Sequence, residues 1–209
     1  EKKSTKLSYL IRIRDNIDDQ KNVNIFFFMH GYGDSMKGIS QIGNLLKPEN
    51  IHVFFNAPFK MDVGFGAEGF RWFEFPSNED EFKFSQQAIS QTISEILNDI
   101  KFNIKGIFIG GFSQGGMMTL HNNYNEKVDG LIILGSQLFY ENKEFNLKKK
   151  TKIFMSHGTY DQVIPIMGSI QTLNFLRKKG FSVDYKEYPM GHEISLDQIN
   201  ELNNWIDKI

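Results

Sequence analysis

A serine set among glycines is the first place where this chain could do covalent chemistry. Gly110-Gly111-Phe112-Ser113-Gln114-Gly115-Gly116 contains Gly-x-Ser-x-Gly, preceded by an apolar run and followed by a helix-compatible stretch from Met117 to His121. A strand before and a helix after such a segment make the sharp turn that exposes a nucleophilic hydroxyl. The glycines let neighbouring elements approach without Cβ clashes, and the helix behind Ser113 aims amide N–H groups at developing negative charge. The competing reading is an ordinary glycine-rich β–α turn, which needs no partners. A serine hydroxyl is a poor nucleophile near neutrality, so a catalytic reading requires a base and a carboxylate to orient it.

Both partners can be found downstream. The histidines after Ser113 are His121, His157 and His192. His121 falls inside the helix behind the serine and reads as a packing or surface residue; His157 ends a strand-like run. His192 closes Tyr188-Pro189-Met190-Gly191-His192, a loop between the strand-like segment 181–188 and the last helix, and is the candidate base. Asp161, in His157-Gly158-Thr159-Tyr160-Asp161, also follows a strand directly and is the candidate acid. Asp129 and Asp184 stand at the start or middle of strands, the wrong end. A lone His–Asp pair is more often structural than catalytic, but here three groups fall in the order serine, acid, histidine, each just beyond a strand. Acyl chemistry also needs two amides for the oxyanion. One is that of Gln114; the other, from the loop His30-Gly31-Tyr32-Gly33-Asp34 after an early strand, is that of Tyr32. Together they are expected to contribute about 3 kcal/mol. His30 precedes the serine and is expected to brace this loop through hydrogen bonds.

Stepping outward, continuous apolar runs at residues 23–29, 104–109, 128–134 and 152–155, with Ile51–Phe55, suit strands covered on both faces. Residues 7–14 alternate, with Leu7, Tyr9, Ile11 and Ile13 on one side, as a half-buried strand does. Helical stripes lie between the strands. The first is Met36, Ile39, Ile42, Leu45 and Leu46, with Asp34 as cap and Pro48 as stop. The second is Ile89, Ile93, Ile96, Leu97 and Ile100. The third, Ile166, Ile170, Leu173 and Leu176, is opened by Pro165 and closed by Gly180, and the last is Leu196, Ile199, Leu202, Ile206 and Ile209. The alternation predicts an α/β fold, an open and mostly parallel sheet with helices on both faces and function at the carboxyl ends of the strands. Residues 1–209 contain no internal repeat or long linker and are expected to form a single domain.

Composition removes several classes of function. The 24 Lys+Arg against 25 Asp+Glu give a net charge of −1, which offers nucleic acid and anionic membranes no electrostatic attraction. Zero cysteines exclude disulfides, thiolate-bound metals and a thiol nucleophile. Apolar runs are far too short to span a bilayer, so no stable membrane insertion is expected. Residues 1–6 are charged and hold no apolar leader stretch, which points to a cytoplasmic protein. Lys148-Lys149-Lys150 reads as a solvated loop.

Several motifs then occur in one order: His30-Gly31-Tyr32-Gly33-Asp34, Asn56-Ala57-Pro58, Arg71-Trp72-Phe73, the Ser113 segment, His157-Gly158-Thr159-Tyr160-Asp161 with Val163-Ile164-Pro165, and Gly191-His192. Together they resemble the phospholipase/carboxylesterase family of α/β-hydrolases, which includes acyl-protein thioesterases. The resemblance implies Ser113, Asp161 and His192 as the triad and Tyr32 and Gln114 as oxyanion donors. It implies hydrolysis of carboxylic esters, thioesters or lysophospholipids, with a small acyl ester, a lysophospholipid or an acylated protein as substrate and no cofactor or metal. Tyr32 stands where the family usually has a small or aliphatic residue, and Gly135-Ser136-Gln137 only loosely matches its Ser-Gly turn. Residues 59–75 are expected to line the acyl channel, with Phe70 and Trp72 as walls. Residues 135–150 lack the amphipathic stripe of a lid, so no cap domain is expected and the site should stand open. The alternative readings are a lysophospholipase, another reaction on the same triad such as peptide cleavage or acyl transfer, or a binding module on a degenerate hydrolase fold.

Overall fold

The computed structural model describes residues 7–13, 22–76, 78–122, 124, 126–139 and 150–209. Among the described residues, seven strands form one sheet: β1 (Tyr9–Arg12), β2 (Asn22–Met29), β3 (Ile51–Phe55), β6 (Asn103–Phe112), β7 (Gly130–Leu134), β8 (Lys152–Gly158) and β9 (Val183–Tyr188). Their order is β1-β3-β2-β6-β7-β8-β9, antiparallel between β1 and β3 and parallel elsewhere. Two further strands, β4 (Phe59–Asp62) and β5 (Glu68–Arg71), pair as a separate antiparallel hairpin.

The apolar runs are continuous because both faces of the sheet are covered. Ile25, Phe27 and Met29 of β2 pack on one side with Ile89 and Ile93 of α2 (Glu79–Asp99), Met118 of α3 (Gln114–His121) and Leu173 of α4 (Ile166–Lys178). Phe26 and Phe28 face the other way, onto Ile39 of α1 (Met36–Ile39) and Ile199, Leu202 and Trp205 of α5 (Leu196–Ile206). Fully burying one such side chain contributes about 1.5–3 kcal/mol, so alternate residues fix the register from both faces. Local signals set the helix ends. Asn78 accepts from Glu81 N at the start of α2, where three acidic residues face the positive end of the helix dipole. Ser195 and Gln198 form a capping box at α5. No helix among the described residues is long and apolar enough to cross a membrane.

The structure corrects the sequence reading in three elements. The first helix shrinks to α1 and a 3-10 turn at Ser40–Asn44, capped by Ser35 rather than Asp34. Gly38 and Gly43 inside the stripe lower its helical propensity, and Leu45 turns outward, 46% exposed. In the first strand Ile11 and Ile13 are exposed, because β1 is an edge strand with one neighbour and Arg12 stacks over Phe54 from its other face. Residues 59–75, expected only as channel lining, contain the β4–β5 hairpin. Arg14, the charged start at 1–6, and residues 140–149, which include Lys148, Lys149 and most of the segment expected to carry no cap, lie outside the described residues.

Candidate active site

Ser113 sits between β6 and α3 with φ 53° and ψ −119°, a conformation that costs a non-glycine residue about 1–3 kcal/mol. The surrounding packing enforces it. A Cβ on Gly111 would lie 2.3 Å from the backbone of Gly115, and one on Gly115 would lie 2.2 Å from Met29 O, so the turn closes only with glycine at both. Main-chain bonds hold Ser113 from both sides. Its amide donates to Leu134 O (3.0 Å), and its carbonyl accepts from Gly116 N (3.0 Å), Met117 N (3.2 Å) and Ser136 Oγ (2.6 Å).

The end of β9 brings His192 over this serine. Its Nε2 is 2.9 Å from Ser113 Oγ, its Nδ1 is 2.7 Å from Asp161 Oδ2, and its ring packs on Phe112 with centroids 4.7 Å apart. A carboxylate only accepts, so Nδ1 carries the proton and Nε2 offers a lone pair to the hydroxyl. Asp161 follows β8, and its side chain has no exposed surface. Its Oδ1 accepts from the amides of Val163 and Ile164, both at 2.9 Å, which compensates a charge withdrawn from water. The two loops are laced together by Thr159 N to Tyr188 O (2.8 Å) and Tyr160 N to Met190 O (3.0 Å). Gly158 lies so close to Gly191 that a Cβ would stand 2.3 Å from its carbonyl oxygen. The three side chains singled out in the sequence are therefore brought together. Asp129 and Asp184 are occupied elsewhere, accepting from Ile107 N (3.1 Å) and Trp205 Nε1 (2.7 Å).

The loop after β2 lies against the serine, with a Cβ on Gly31 falling 3.2 Å from Ser113 Cβ. His30 braces it as a neutral ring. Ala57 N donates to Nε2 (3.0 Å), so the proton is on Nδ1, 2.7 Å from Gly31 O, and burial holds the imidazole below its usual pKa. Gln114 begins α3, where a first-turn amide has no acceptor within the helix. The Tyr32 hydroxyl donates to Glu74 Oε1 (2.8 Å), and Glu74 pairs with Arg71, which also meets Glu81 at 2.9 Å. Partial burial and then the bond to Glu74 push the Tyr32 hydroxyl up; that same bond, with Arg71, holds the Glu74 carboxyl below the usual carboxylate range.

Trp72 is not a channel wall. It has no exposed surface, and its indole Nε1 donates to His30 O at 2.9 Å. Phe70 is half-buried beside the His30 ring, and its main chain pairs with Gly33 and Asp34 (both 2.9 Å). The aromatic surface left at the loop after β5 belongs to Phe75, 42% exposed and beside Tyr32. Two supporting side-chain roles escaped the sequence reading, which used only the main-chain amide of Gln114. The buried Gln114 side chain accepts from Trp72 N through Oε1 and donates to Phe73 O through Nε2, both at 2.8 Å, clamping that loop to the serine turn. Ser136 props the serine carbonyl; its signals were a position just after a strand and a loose match to the family's Ser-Gly turn.

The sequence profile described as phospholipase/carboxylesterase matches residues 13–209. An acyl-protein thioesterase 1 of Kluyveromyces lactis is 30% identical, the match covering 95% of this chain and 96% of that protein. Carboxylesterase SOBER1 of Arabidopsis thaliana is 27% identical, with 87% and 88% covered. The crystal structure of Arabidopsis thaliana SOBER1 superposes with a TM-score of 0.73 at 25% identity, covering 88% of this chain and 98% of that one. Esterase PE8 reaches 0.80 at 20% identity, covering 98% and 99%, a likeness of fold.

Proposed function

The chain belongs to the phospholipase/carboxylesterase family, and on that premise we propose that it hydrolyses carboxylic esters or thioesters by way of an acyl-enzyme on Ser113. The observation that carries the proposal is the unbroken chain from Ser113 Oγ through His192 to Asp161 Oδ2, at 2.9 and 2.7 Å, on a strained turn. Ser113 Oγ attacks the acyl carbonyl as its proton passes to His192 Nε2. The imidazolium stands against the Asp161 carboxylate, and the oxyanion takes the amides of Tyr32 and Gln114. Collapse breaks the acyl C–O or C–S bond, and the leaving alkoxide or thiolate takes the proton from His192. Water then repeats the steps, giving up its proton to His192, and releases the carboxylic acid and free Ser113.

Small acyl esters, thioesters, lysophospholipids and acylated peptides form the substrate panel, with amides as the contrast. A mass increase equal to the acyl group after mixing with an activated ester is expected in the native protein and absent from Ser113→Ala. Ser113→Ala should also lose on the order of 10⁴–10⁶ in kcat while keeping its fold. Turnover by that variant within tenfold of the native rate would overturn the proposal.

A further inference from the structure

Gln198, on the first turn of α5, has no exposed surface, and neither has Ser156 of β8. Gln198 Nε2 donates to Ser156 Oγ at 2.7 Å, and its Oε1 accepts from Ser195 N at 3.3 Å. The Ser195 amide fixes which end of the side chain is oxygen, so the other end is the donor. A capping box requires the bonds between Ser195 and Gln198 and no more. It does not account for the bond to Ser156, which runs from the helix into the sheet.

That bond joins the segments that carry the triad. Ser195 follows His192 in the same loop, and Ser156 precedes Asp161 on the strand that delivers it. The Ser156 carbonyl accepts from Gly135 N (2.9 Å), and the next residue, Ser136, holds the Ser113 carbonyl (2.6 Å). One strand position thus meets the loop of the base, the approach to the acid and the prop of the nucleophile. Upstream of His192, Tyr188 O and Met190 O accept from Thr159 N and Tyr160 N in the Asp161 loop. Downstream, Gln198 makes the matching connection to β8.

Given the hydrolysis proposed above, we infer that Gln198 and Ser156 are positioning residues for His192: their bond anchors the downstream end of its loop and keeps Nε2 over Ser113 Oγ. Breaking it leaves every catalytic group in place but lets the imidazole shift. A displacement of about 1 Å can cost on the order of 10²-fold in rate, so a loosening still checked by the upstream bonds should cost about tenfold in kcat. KM should hold, because both side chains are buried away from substrate.

The test compares the native protein with Gln198→Leu, Ser156→Ala, the double variant and Ser195→Ala. The readouts are the melting temperature, and kcat and KM for a soluble ester well below the melting range. Ser113-dependent turnover by the native protein is established first; its absence refutes the proposed function, and the positioning role with it. Each single variant strands a buried polar group, so the melting temperature should fall, and kcat should fall about tenfold with KM unchanged. The double variant replaces both partners by apolar groups, which should restore part of the melting temperature. Its kcat should nevertheless stay at the level of the single variants, since the same tie is missing. Ser195→Ala keeps its main-chain amide and the bond to Ser156, and should lose melting temperature through the cap with kcat near native. A kcat that recovers with the melting temperature in the double variant, or falls equally in Ser195→Ala, marks a merely stabilising bond and overturns the inference. Should Gln198→Leu not fold, Ser156→Ala against Ser195→Ala decides on the same terms.

Discussion

Replacing Asp161 by asparagine probes the site through a single atom. Oδ1 of the native carboxylate accepts two main-chain amides at 2.9 Å, from Val163 and Ile164. An asparagine must turn its amide oxygen toward those donors, which directs its NH₂ at His192 Nδ1 and His157 Nε2. His192 can then accept that N–H only with its own proton moved to Nε2, and in that tautomer it cannot take the proton of Ser113. In a serine triad the wrong tautomer costs roughly 10⁴ in kcat, or about 5.5 kcal/mol on the barrier. KM should change little, because no substrate contact is lost. The assay is the pre-steady-state acylation rate with a chromogenic ester, alongside thermal unfolding to confirm the fold. Asp129→Asn and Asp184→Asn, which touch Ile107 N and Trp205, serve as controls and should acylate at near-native rates. Acylation by Asp161→Asn within tenfold of native, or a larger loss in either control, would refute the assignment of the acid.

Three further outcomes follow from the same contacts. Gln114→Leu leaves Trp72 N and Phe73 O buried and unpaired, at about 1–3 kcal/mol each, so circular dichroism should show the melting temperature falling by roughly 5–20 °C; an unchanged melt would mean that the clamp is dispensable. Tyr32→Phe removes the bond to Glu74 but not the Tyr32 amide, so kcat should drop by about tenfold or less, below the ~10²–10³ cost of deleting an oxyanion donor. The lowered Glu74 carboxyl loses the bond only as pH falls through its depressed value, and the raised Tyr32 hydroxyl only as pH rises through its elevated one. The ratio of native to variant rate should therefore be flat from about pH 6 to 9, and a slope there would count against the clasp. Across soluble esters of growing chain length, kcat/KM should climb by up to ~0.8 kcal/mol, about fourfold, per methylene that the acyl site buries; an abrupt rise at micelle formation would point to a lid.

What could be read from the sequence was whatever depends on neighbours along the chain. β2, β3, β6, β7 and β8 announce themselves because burial on both faces leaves no polar alternation. Ser113 and Asp161 stand out because each follows such a run closely, and His192 because its loop follows the strand-like segment 181–188, where an open sheet gathers its loops. The signal fails where a side chain is fixed by a distant partner. Trp72 reads as an aromatic wall until its indole is seen bonded to His30 O, 42 residues away in sequence. The alternation of Leu7, Tyr9, Ile11 and Ile13 breaks down in burial at Ile11 and Ile13, which are exposed, because the strand lies at an edge that only the sheet order reveals. β4 and β5 are four residues each, too short for a period to emerge, and β5 is aligned by Gly33 and Asp34 from another loop.

The same distinction explains how a strained serine can be kept in place. The elbow costs about 1–3 kcal/mol, and nothing local to Gly111–Gly115 repays it. The compensation comes across the sheet. Leu134 O and Ser136 Oγ, at the end of β7, take one side of Ser113, and Gln114 fastens the other to Trp72 and Phe73. Trp72 in turn holds His30 O, and His30 holds Ala57 N beyond β3. Each tie links the exits of different strands, and the strands themselves are immobilised by the two apolar layers. A substitution that loosens Gln114 therefore acts on the serine turn and on the loop carrying Tyr32 at once. Gln114→Leu combined with Tyr32→Phe should consequently lose more activity than the product of the single losses, since each bond limits the freedom that the other would release.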